Sequence, residues 1–377
     1  MKDQGSLPIE FIGTDDPGQE PEPGIGLCLS GGGYRAMLFH AGSLLRLYET
    51  GILKQADRIS SVSGGSITSA VLALKWDTLS FNTVDARQEF VREVVEPIRN
   101  MARHTIDAGS IIEGVLLLGS ISNKIVSAYE KHLYGEATLQ DLPDAPRFVI
   151  NATNVQSAAL WRFSKPYMRD WRVGAVKNPQ VTLALAVAAS SAFPPVLSPA
   201  TLELDEADFE PNSGYDLQRE PFTSRVVLSD GGVYDNLGLE TVWKRYKTVL
   251  VSDGGGKTQP EEEPKTDWAR HSYRILNVID NQVRSLRYRQ LIASYQTGIR
   301  EGTYWGIRTD IADYELADAL PCPFEWTDEL AKTPTRLKRL SEERQRDLIN
   351  WGYAVCDAGL RRYYDPSLTA PTDFPLH

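Results

Sequence analysis

Three short stretches of this chain carry residue types that could do chemistry, and each follows an apolar run. "SVSGG" sets Ser63 ahead of Gly64 and Gly65, "SGGGYR" contains Gly31, Gly32, Gly33 and Arg35, and "SDGGVYDN" contains Asp230 and Asn236. A serine on a sharp strand-to-helix turn has its hydroxyl exposed, and small flanking residues relieve the crowding of the turn. Ser63 fits that setting in the pattern G-x-S-x-G, with Ser61 in the first glycine place; the same residue types also build ordinary turns and caps. Three consecutive glycines mark positive φ angles or a backbone that something approaches closely. Their N–H groups, with no side chains in the way, can point at the negative charge that acyl transfer builds on a carbonyl oxygen. A nucleotide-phosphate loop fits less well, because no Gly-Lys-Ser/Thr follows and the G-x-G-x-x-G fingerprint is not completed.

A serine nucleophile needs a base. The five histidines are His40, His104, His132, His271 and His377, and none follows a strand beside an obvious partner. A carboxylate held against the serine in a partly dry site can take the proton instead, since burial raises its basicity. Asp230, directly after the Val-rich run "RVVLS" and before two glycines, is the favoured base; Asp253 in "SDGGG" is its rival. An order of Ser63, an aspartate and His271 would make an ordinary Ser-His-Asp hydrolase, but His271 lies in "DWARHSYRIL", a helix start where a surface or capping histidine is expected.

These loops need rigid elements behind them. "GIGLCLS" reads as a strand starting the fold at Gly24. It is followed by the glycine loop and by a helix over 34–50 whose Met37, Leu38, Ala41, Leu44, Leu45 and Tyr48 form one apolar stripe. "RISSV" from Arg58, the Ser63 turn and a helix to about Trp76 repeat the unit. Strand, tight loop and helix, twice over, predict a parallel sheet with helices on its faces, and ligand sites on such sheets form beyond the carboxyl ends of the strands. Helical pattern covers 81–133, "RFVIN" from Arg147 is a further strand, and "VTLALAVAAS" is a short helix stopped by Pro194 and Pro195. Strands are expected at "RVVLS" and "TVLVS", and mostly helix from Trp268 onward. The acidic stretch 202–223 reads as a surface loop and lid. One domain is expected over 24–365, with tails at 1–23 and 366–377, and no internal repeat.

Composition excludes several classes. At 42% hydrophobic and 24% charged, the 377 residues are those of an ordinary globular enzyme. A net charge of -10 argues against nucleic-acid binding, although Arg270, Arg274, Arg284, Arg287 and Arg289 on one helix-like segment could face anionic headgroups or a phosphorylated ligand. No apolar run is long enough for a membrane span and no secretory signal is seen, so a cytoplasmic location is expected. Cys28, Cys322 and Cys356 are too few and scattered for a disulfide framework or zinc site; no cofactor or metal is expected.

Taken together, these residues resemble the patatin-like phospholipase family from Gly26 to about Asn236. The family's G-G-G-x-R/K-G motif corresponds to Gly31, Gly32, Gly33, Tyr34, Arg35 and Ala36, and its nucleophile pentad to Ser61 through Gly65. The A-x-x-A-S-x-A-x-P block corresponds to Ala186, Ala189, Ser190, Ala192 and Pro194, and the D-G-G element to Asp230, Gly231 and Gly232 with Asn236 behind it. "SGGGYRAM" with "LYETGIL" is also similar to the catalytic domain of the calcium-dependent cytosolic phospholipases. The resemblance implies an α/β, three-layer patatin-like fold with a mostly parallel central sheet and helices on both faces. It implies a lipid acyl hydrolase of phospholipase A type acting on phospholipid or another acyl-ester lipid, with peripheral membrane contact and the oligomeric state left open. Ser63 would attack the ester, Asp230 accept its proton, Gly31, Gly32 and Gly33 form the oxyanion hole, and Arg35 hold the glycine loop or the substrate phosphate. Family analogy also suggests a regulated effector, gated by the acidic loop and the arginine-rich helix. A lipid-binding module without chemistry is the remaining alternative, and it would not need Ser63, Asp230 and the glycine loop together.

Overall fold

Both glycine-bearing loops leave a parallel strand and enter a helix. The computed structural model describes residues 21–81, 86–106, 118–195, 197–256 and 258–377. Its strands are β1 (Glu22–Leu29), β2 (Ala56–Val62), β3 (Arg147–Asn154), β4 (Ala159–Phe163), β5 (Tyr167–Asp170), β6 (Gly174–Lys177), β7 (Ala200–Glu203), β8 (Arg225–Asp230), β9 (Tyr246–Asp253) and β10 (Glu301–Gly306). The helices are α1 (Gly33–Glu49), α2 (Gly64–Lys75), α3 (Ala86–Phe90), α4 (Glu96–Ala102), α5 (Leu118–Tyr129), α6 (Leu183–Ser190), α7 (Gly232–Asp235), α8 (Glu240–Trp243), α9 (Trp268–Gln296), α10 (Phe324–Ala331) and α11 (Glu342–Tyr363).

The strands form one sheet in the order β10-β9-β1-β2-β3-β4-β5-β6, with β8 also joined to β3 and β7 to β8. The central run from β10 to β3 is parallel, as the strand-loop-helix units require. β4 to β6 and the β7–β8 pair extend it with antiparallel strands. Alternation along β1 and β9 divides the core between two faces: Leu27, Leu29 and Leu250 point into the larger cluster. Cys28, Val249 and Val251 point into the smaller one, which Leu237, Leu239 and Val242 around α8 and Leu291 of α9 complete. Helices thus cover both faces, with α1, α2, α6 and α11 against the larger cluster.

Helix α1 is buried from Gly33 to Tyr48, not along one stripe, because α11 lies against it. A Cβ on Gly42 would stand 1.9 Å from the Ile349 carbonyl oxygen and one on Gly352 1.9 Å from that of Phe39, so the two backbones meet at reciprocal glycines. Buried Arg46 and Arg361 both pair with Asp357, at 2.7 and 2.9 Å.

Several expectations need correction. The first strand begins at Glu22, before Gly24, while the expected tail up to residue 20 lies outside the described residues. Residues 366–377 do not hang free: Leu368, Phe374 and Leu376 pack against the core, and Asn350 donates to the Leu376 carbonyl at 2.7 Å and accepts from its N–H. From Trp268 onward the chain is mostly helix, as expected, with strand β10 set between α9 and α10. The 202–223 segment contains the end of β7 and bonds to the β5–β6 region, with Glu210 N–H donating to Ala175 O and Tyr215 N–H to Trp171 O. Cys28, Cys322 and Cys356 are free and buried.

Candidate active site

Ser63 is the residue between β2 and α2, and its backbone has φ 50° and ψ -119°. A non-glycine residue in that region stores strain that surrounding structure must hold. The hold is visible. Ser63 N–H donates to Ser190 Oγ at 2.9 Å, Ser190 Oγ donates to the Asn151 carbonyl at 2.6 Å, and Ser66 Oγ bonds to both Ser190 Oγ and Ser61 Oγ. Ser61, standing where glycine is usual, is fully buried and accepts the Ser66 hydroxyl, so the substitution adds a bond to the turn. A Cβ on Gly64 would lie 2.2 Å from Gly33 O; only glycine lets the serine turn press against the glycine loop.

Asp230 ends β8 and is 2% exposed. Its main chain is pinned by N–H donation to Ala192 O and by Thr153 Oγ1 donating to its carbonyl at 2.8 Å. Gly232 N–H donates to Oδ1 at 2.7 Å, whereas Oδ2 is buried with no hydrogen-bond partner. Burial pushes the Asp230 carboxyl up to about 7. The Gly232 N–H and the nearby Ser63 hydroxyl pull it down, and the Asp280 carboxylate raises it. Ser63 and Asp230 line the same polar cavity, and in acid-base pairs of this kind the hydrogen bond tightens only when substrate is bound.

The glycine loop packs beside this pair. Gly32 and Gly33 have φ of 144° and 60°, values open to glycine, and Gly33 begins α1. Gly31 N–H donates to the Asn236 carbonyl at 3.0 Å and is therefore committed, which corrects the expectation that all three amides serve one hole. No hydrogen bond from Gly32 or Gly33 N–H is found among the described residues. With α1 starting at Gly33 and α2 at Gly64, two helix amino termini meet at Ser63, where unpaired N–H groups and the helix dipoles favour negative charge.

Two cavities open onto Ser63. One, of about 330 Å³, is polar and is lined by Gly32, Asp230, Asn236, Arg274, Asp280 and Arg284 among others. The other, of about 410 Å³, is largely apolar and is lined by Phe193, Pro194, Pro195, Leu197 and Leu337. Residues of the amino-terminal half of α9 and of the 331–337 loop line these cavities, and no residue of 202–223 does, so the lid expected there is not at the site.

Arg35 is 2% exposed. Its Nε donates to Gly254 O at 3.0 Å, one guanidinium NH₂ group to Thr333 O and the other to Thr335 Oγ1 at 2.8 Å. Burial and then Arg284 lower its pKa to about 9. From its place just after the glycine loop it thus ties the first turn of α1 to Gly254 and to the 331–337 loop, and it also lines the polar cavity. Asp253 is engaged elsewhere: Tyr304 OH donates to it at 2.7 Å and Arg308 stands 3.7 Å away. After the cost of burial, Arg284 and Arg308 bring its pKa below the ordinary value. His271 is exposed, bonds to Lys265 O and lines neither cavity. Ser190, the hub of the turn, was visible in the sequence only as part of the alanine block, with no chemistry in its spacing.

Residues 27–243 match the family model described as patatin-like phospholipase. No match was found among curated proteins. Among solved structures, the chain is similar to human GIVD cytosolic phospholipase A2 in complex with methyl gamma-linolenyl fluorophosphonate, at 14% identity and a TM-score of 0.49. The similarity covers 89% of this chain and 57% of that one. VipD from Legionella pneumophila is similar at 14% identity and a TM-score of 0.36, over 91% of this chain and 68% of that one.

Proposed function

Because the chain belongs to the patatin-like phospholipase family, we propose that it hydrolyses fatty-acyl esters of phospholipids, with Ser63 as nucleophile and Asp230 as general base. The observation that carries this reading is the serine on a strained turn at the junction of two cavities, beside a buried carboxyl with a pKa of about 7. A base poised near neutrality combines the right protonation state with useful proton affinity.

The ester carbonyl sits over Ser63, its acyl chain in the apolar cavity and the glycerol and headgroup toward the polar one. Ser63 Oγ attacks the carbonyl carbon as its proton passes to Asp230 Oδ2, the oxygen left without a partner. The charge gathering on the carbonyl oxygen is met by Gly32 and Gly33 N–H. Each such donor contributes on the order of a hundredfold or more in rate. Collapse expels the lysolipid alkoxide, which takes the proton from Asp230. Water then attacks the acyl-serine, giving its proton to Asp230, and the second collapse returns that proton to Ser63 Oγ and releases the fatty acid.

A Ser-His-Asp arrangement has nothing to support it, since His271 lies outside both cavities. The test is fatty-acid release from mixed phospholipid vesicles by the wild type, Ser63→Ala and Asp230→Asn. Release by the wild type alone supports the dyad. Release by Ser63→Ala at a comparable rate refutes it, and binding of vesicles without release by any of the three favours a lipid-binding module.

A further inference from the structure

The polar cavity beside Ser63 contains two charged side chains that the fold leaves uncompensated. Arg274 is paired with Glu261 at 3.3 Å, Lys332 with Asp328 and Glu329, Arg35 gives its guanidinium to three acceptors, and Arg336 is also engaged. Arg284 and Asp280, which line the same cavity from neighbouring turns of α9, are different. Arg284 is 4% exposed, yet it makes no ion pair among the described residues. Its Nη2 donates to Gly256 O at 2.9 Å, and its buried Nε has no partner. The Asp280 carboxylate has neither a hydrogen bond nor an ion pair among the described residues. Burial pushes that carboxyl above its ordinary value, and Arg284 pulls it back.

The loop after β9 sets this arrangement. In "SDGGG", a Cβ on Gly255 would stand 2.1 Å from Arg284 Nη1 and one on Gly256 2.7 Å from Arg35 Nη1, so the glycines give their room to two guanidiniums. Asp253 of the same loop is already engaged by Tyr304 and Arg308. Residues one helical turn apart can pair with each other, but Arg284 is drawn to Gly256 O instead. The result is a partly dry cavity with one cation and one anion side by side, and buried charges call for partners. A simple anion on Arg284 leaves Asp280 unmet, and a simple cation on Asp280 leaves Arg284 so. A ligand with both signs joined by a short bridge meets the two at once. An ionised carboxylate only accepts hydrogen bonds, so it holds an ammonium that has N–H groups better than a quaternary one, which offers charge alone.

We propose that Arg284 and Asp280 read the headgroup of the substrate, Arg284 taking its phosphate and Asp280 a primary ammonium, so that ethanolamine-type phospholipids are preferred over choline-type ones. The proposal rests on the phospholipase reading for its occupant. A phosphate ester with a primary ammonium is also the chemistry of free phosphoethanolamine, but the polar and apolar cavities share Ser63, Phe193 and Tyr273 in their linings, which suits a ligand with acyl chains attached.

Because the Asp280 carboxylate also raises the Asp230 pKa, its variants alter turnover whatever they do to binding, and the test is therefore one of binding. Calorimetry on the full-length chain carrying Ser63→Ala measures the affinity for dihexanoyl phosphatidylethanolamine and dihexanoyl phosphatidylcholine, both kept below the concentration at which they form micelles. The ethanolamine lipid should bind about tenfold more tightly. Adding Asp280→Ala should bring the ratio of the two affinities to about one, and Asp280→Asn, which still accepts a hydrogen bond, should leave it in between. Arg284→Gln, checked for folding by circular dichroism, should weaken both lipids alike and leave the ratio unchanged. Free phosphoethanolamine should bind at least about tenfold more weakly than the lipid, because it forgoes the apolar cavity. Equal affinity for the two lipids overturns the proposal, as does a ratio that survives Asp280→Ala, or no binding of either lipid. Phosphoethanolamine binding as tightly as the lipid overturns the assignment to a lipid headgroup. Hydrolysis of both lipids by the Ser63 protein without any preference in binding sinks the headgroup site and leaves the phospholipase reading standing, whereas selective binding with no hydrolysis does the reverse.

Discussion

Replacing Asp230 by asparagine is expected to abolish turnover and to stabilise the fold at mildly alkaline pH. The carboxyl titrates at about 7 in the folded chain against an ordinary 3.8, chiefly because it is buried. Between those values the folded protein keeps a proton that the unfolded chain has released. The stabilising contribution of this group is therefore complete below its unfolded pKa and is lost as pH rises through about 7. At about 1.4 kcal/mol per pH unit, a gap of roughly three units means that ionising Asp230 costs the fold roughly 4 kcal/mol at about pH 8. Asparagine removes that cost and still offers an oxygen to Gly232 N–H. Its buried Nδ2, if left without an acceptor, costs about 1–3 kcal/mol at every pH. The unfolding free energy of Asp230→Asn relative to wild type should then increase by roughly 3 kcal/mol between about pH 5 and pH 8, ending in favour of the mutant. Urea unfolding at several pH values measures this directly. A difference that stays flat across that range would refute the raised pKa, and with it the account of Asp230 as a base tuned by burial. Wild-type kcat/KM on a soluble ester should rise with pH to half its maximum near the same pKa.

Ser63→Ala should lower ester hydrolysis by about 10⁴-fold or more, whereas Ser63→Gly, equally inactive, should raise unfolding stability by about 1 kcal/mol because glycine adopts φ 50° without strain. Ser190→Ala removes the acceptor of Ser63 N–H and the donor to Asn151 O. It should cost about 1–3 kcal/mol in urea unfolding and lower kcat more than it raises KM; a change in KM alone would argue against Ser190 as the holder of the turn. His271→Ala should leave steady-state hydrolysis within about twofold of wild type, as expected of an exposed residue that lines neither cavity.

The parts of the site that were legible in the sequence are those where chemistry demands one residue type at one place. Gly32 and Gly33 occupy positive φ, Gly64 lies where any side chain would strike the glycine loop, and Asp230 ends a strand whose alternate residues are buried. What could not be read depends on partners distant in the chain. Gly31 looks like its two neighbours until Asn236 folds beneath it and takes its amide. The strands β4 to β7 are four or five residues long and carry arginine, aspartate and lysine among their apolar positions, so neither alternation nor an apolar run marks them. The acidic 202–223 stretch has the composition of a lid, but its backbone bonds to the β5–β6 hairpin region hold it away from Ser63. The real roof, α9 with the 331–337 loop, comes from the part of the chain with the least distinctive motifs, and Arg35 joins it to the glycine loop through contacts nearly 300 residues apart.

The position of β9 between β1 and β10 bears on where this chain can be cut. Every motif residue of the site lies before Trp243, yet the flank of β1 opposite β2 is paired from Ile25 to Leu29 with residues 248–252, and α1 meets α11 at glycines that tolerate no gap. A shortened protein ending after Trp243 would leave β1 as a bare apolar edge, with the glycine loop hanging from it and a long buried helix open to water. Such an edge is a template for pairing with another chain, and aggregation is the expected fate of a fragment that retains the complete set of motif residues. The far end of the sheet, at β5 and β6, is where a tag or an inserted segment would disturb the fewest contacts of the site.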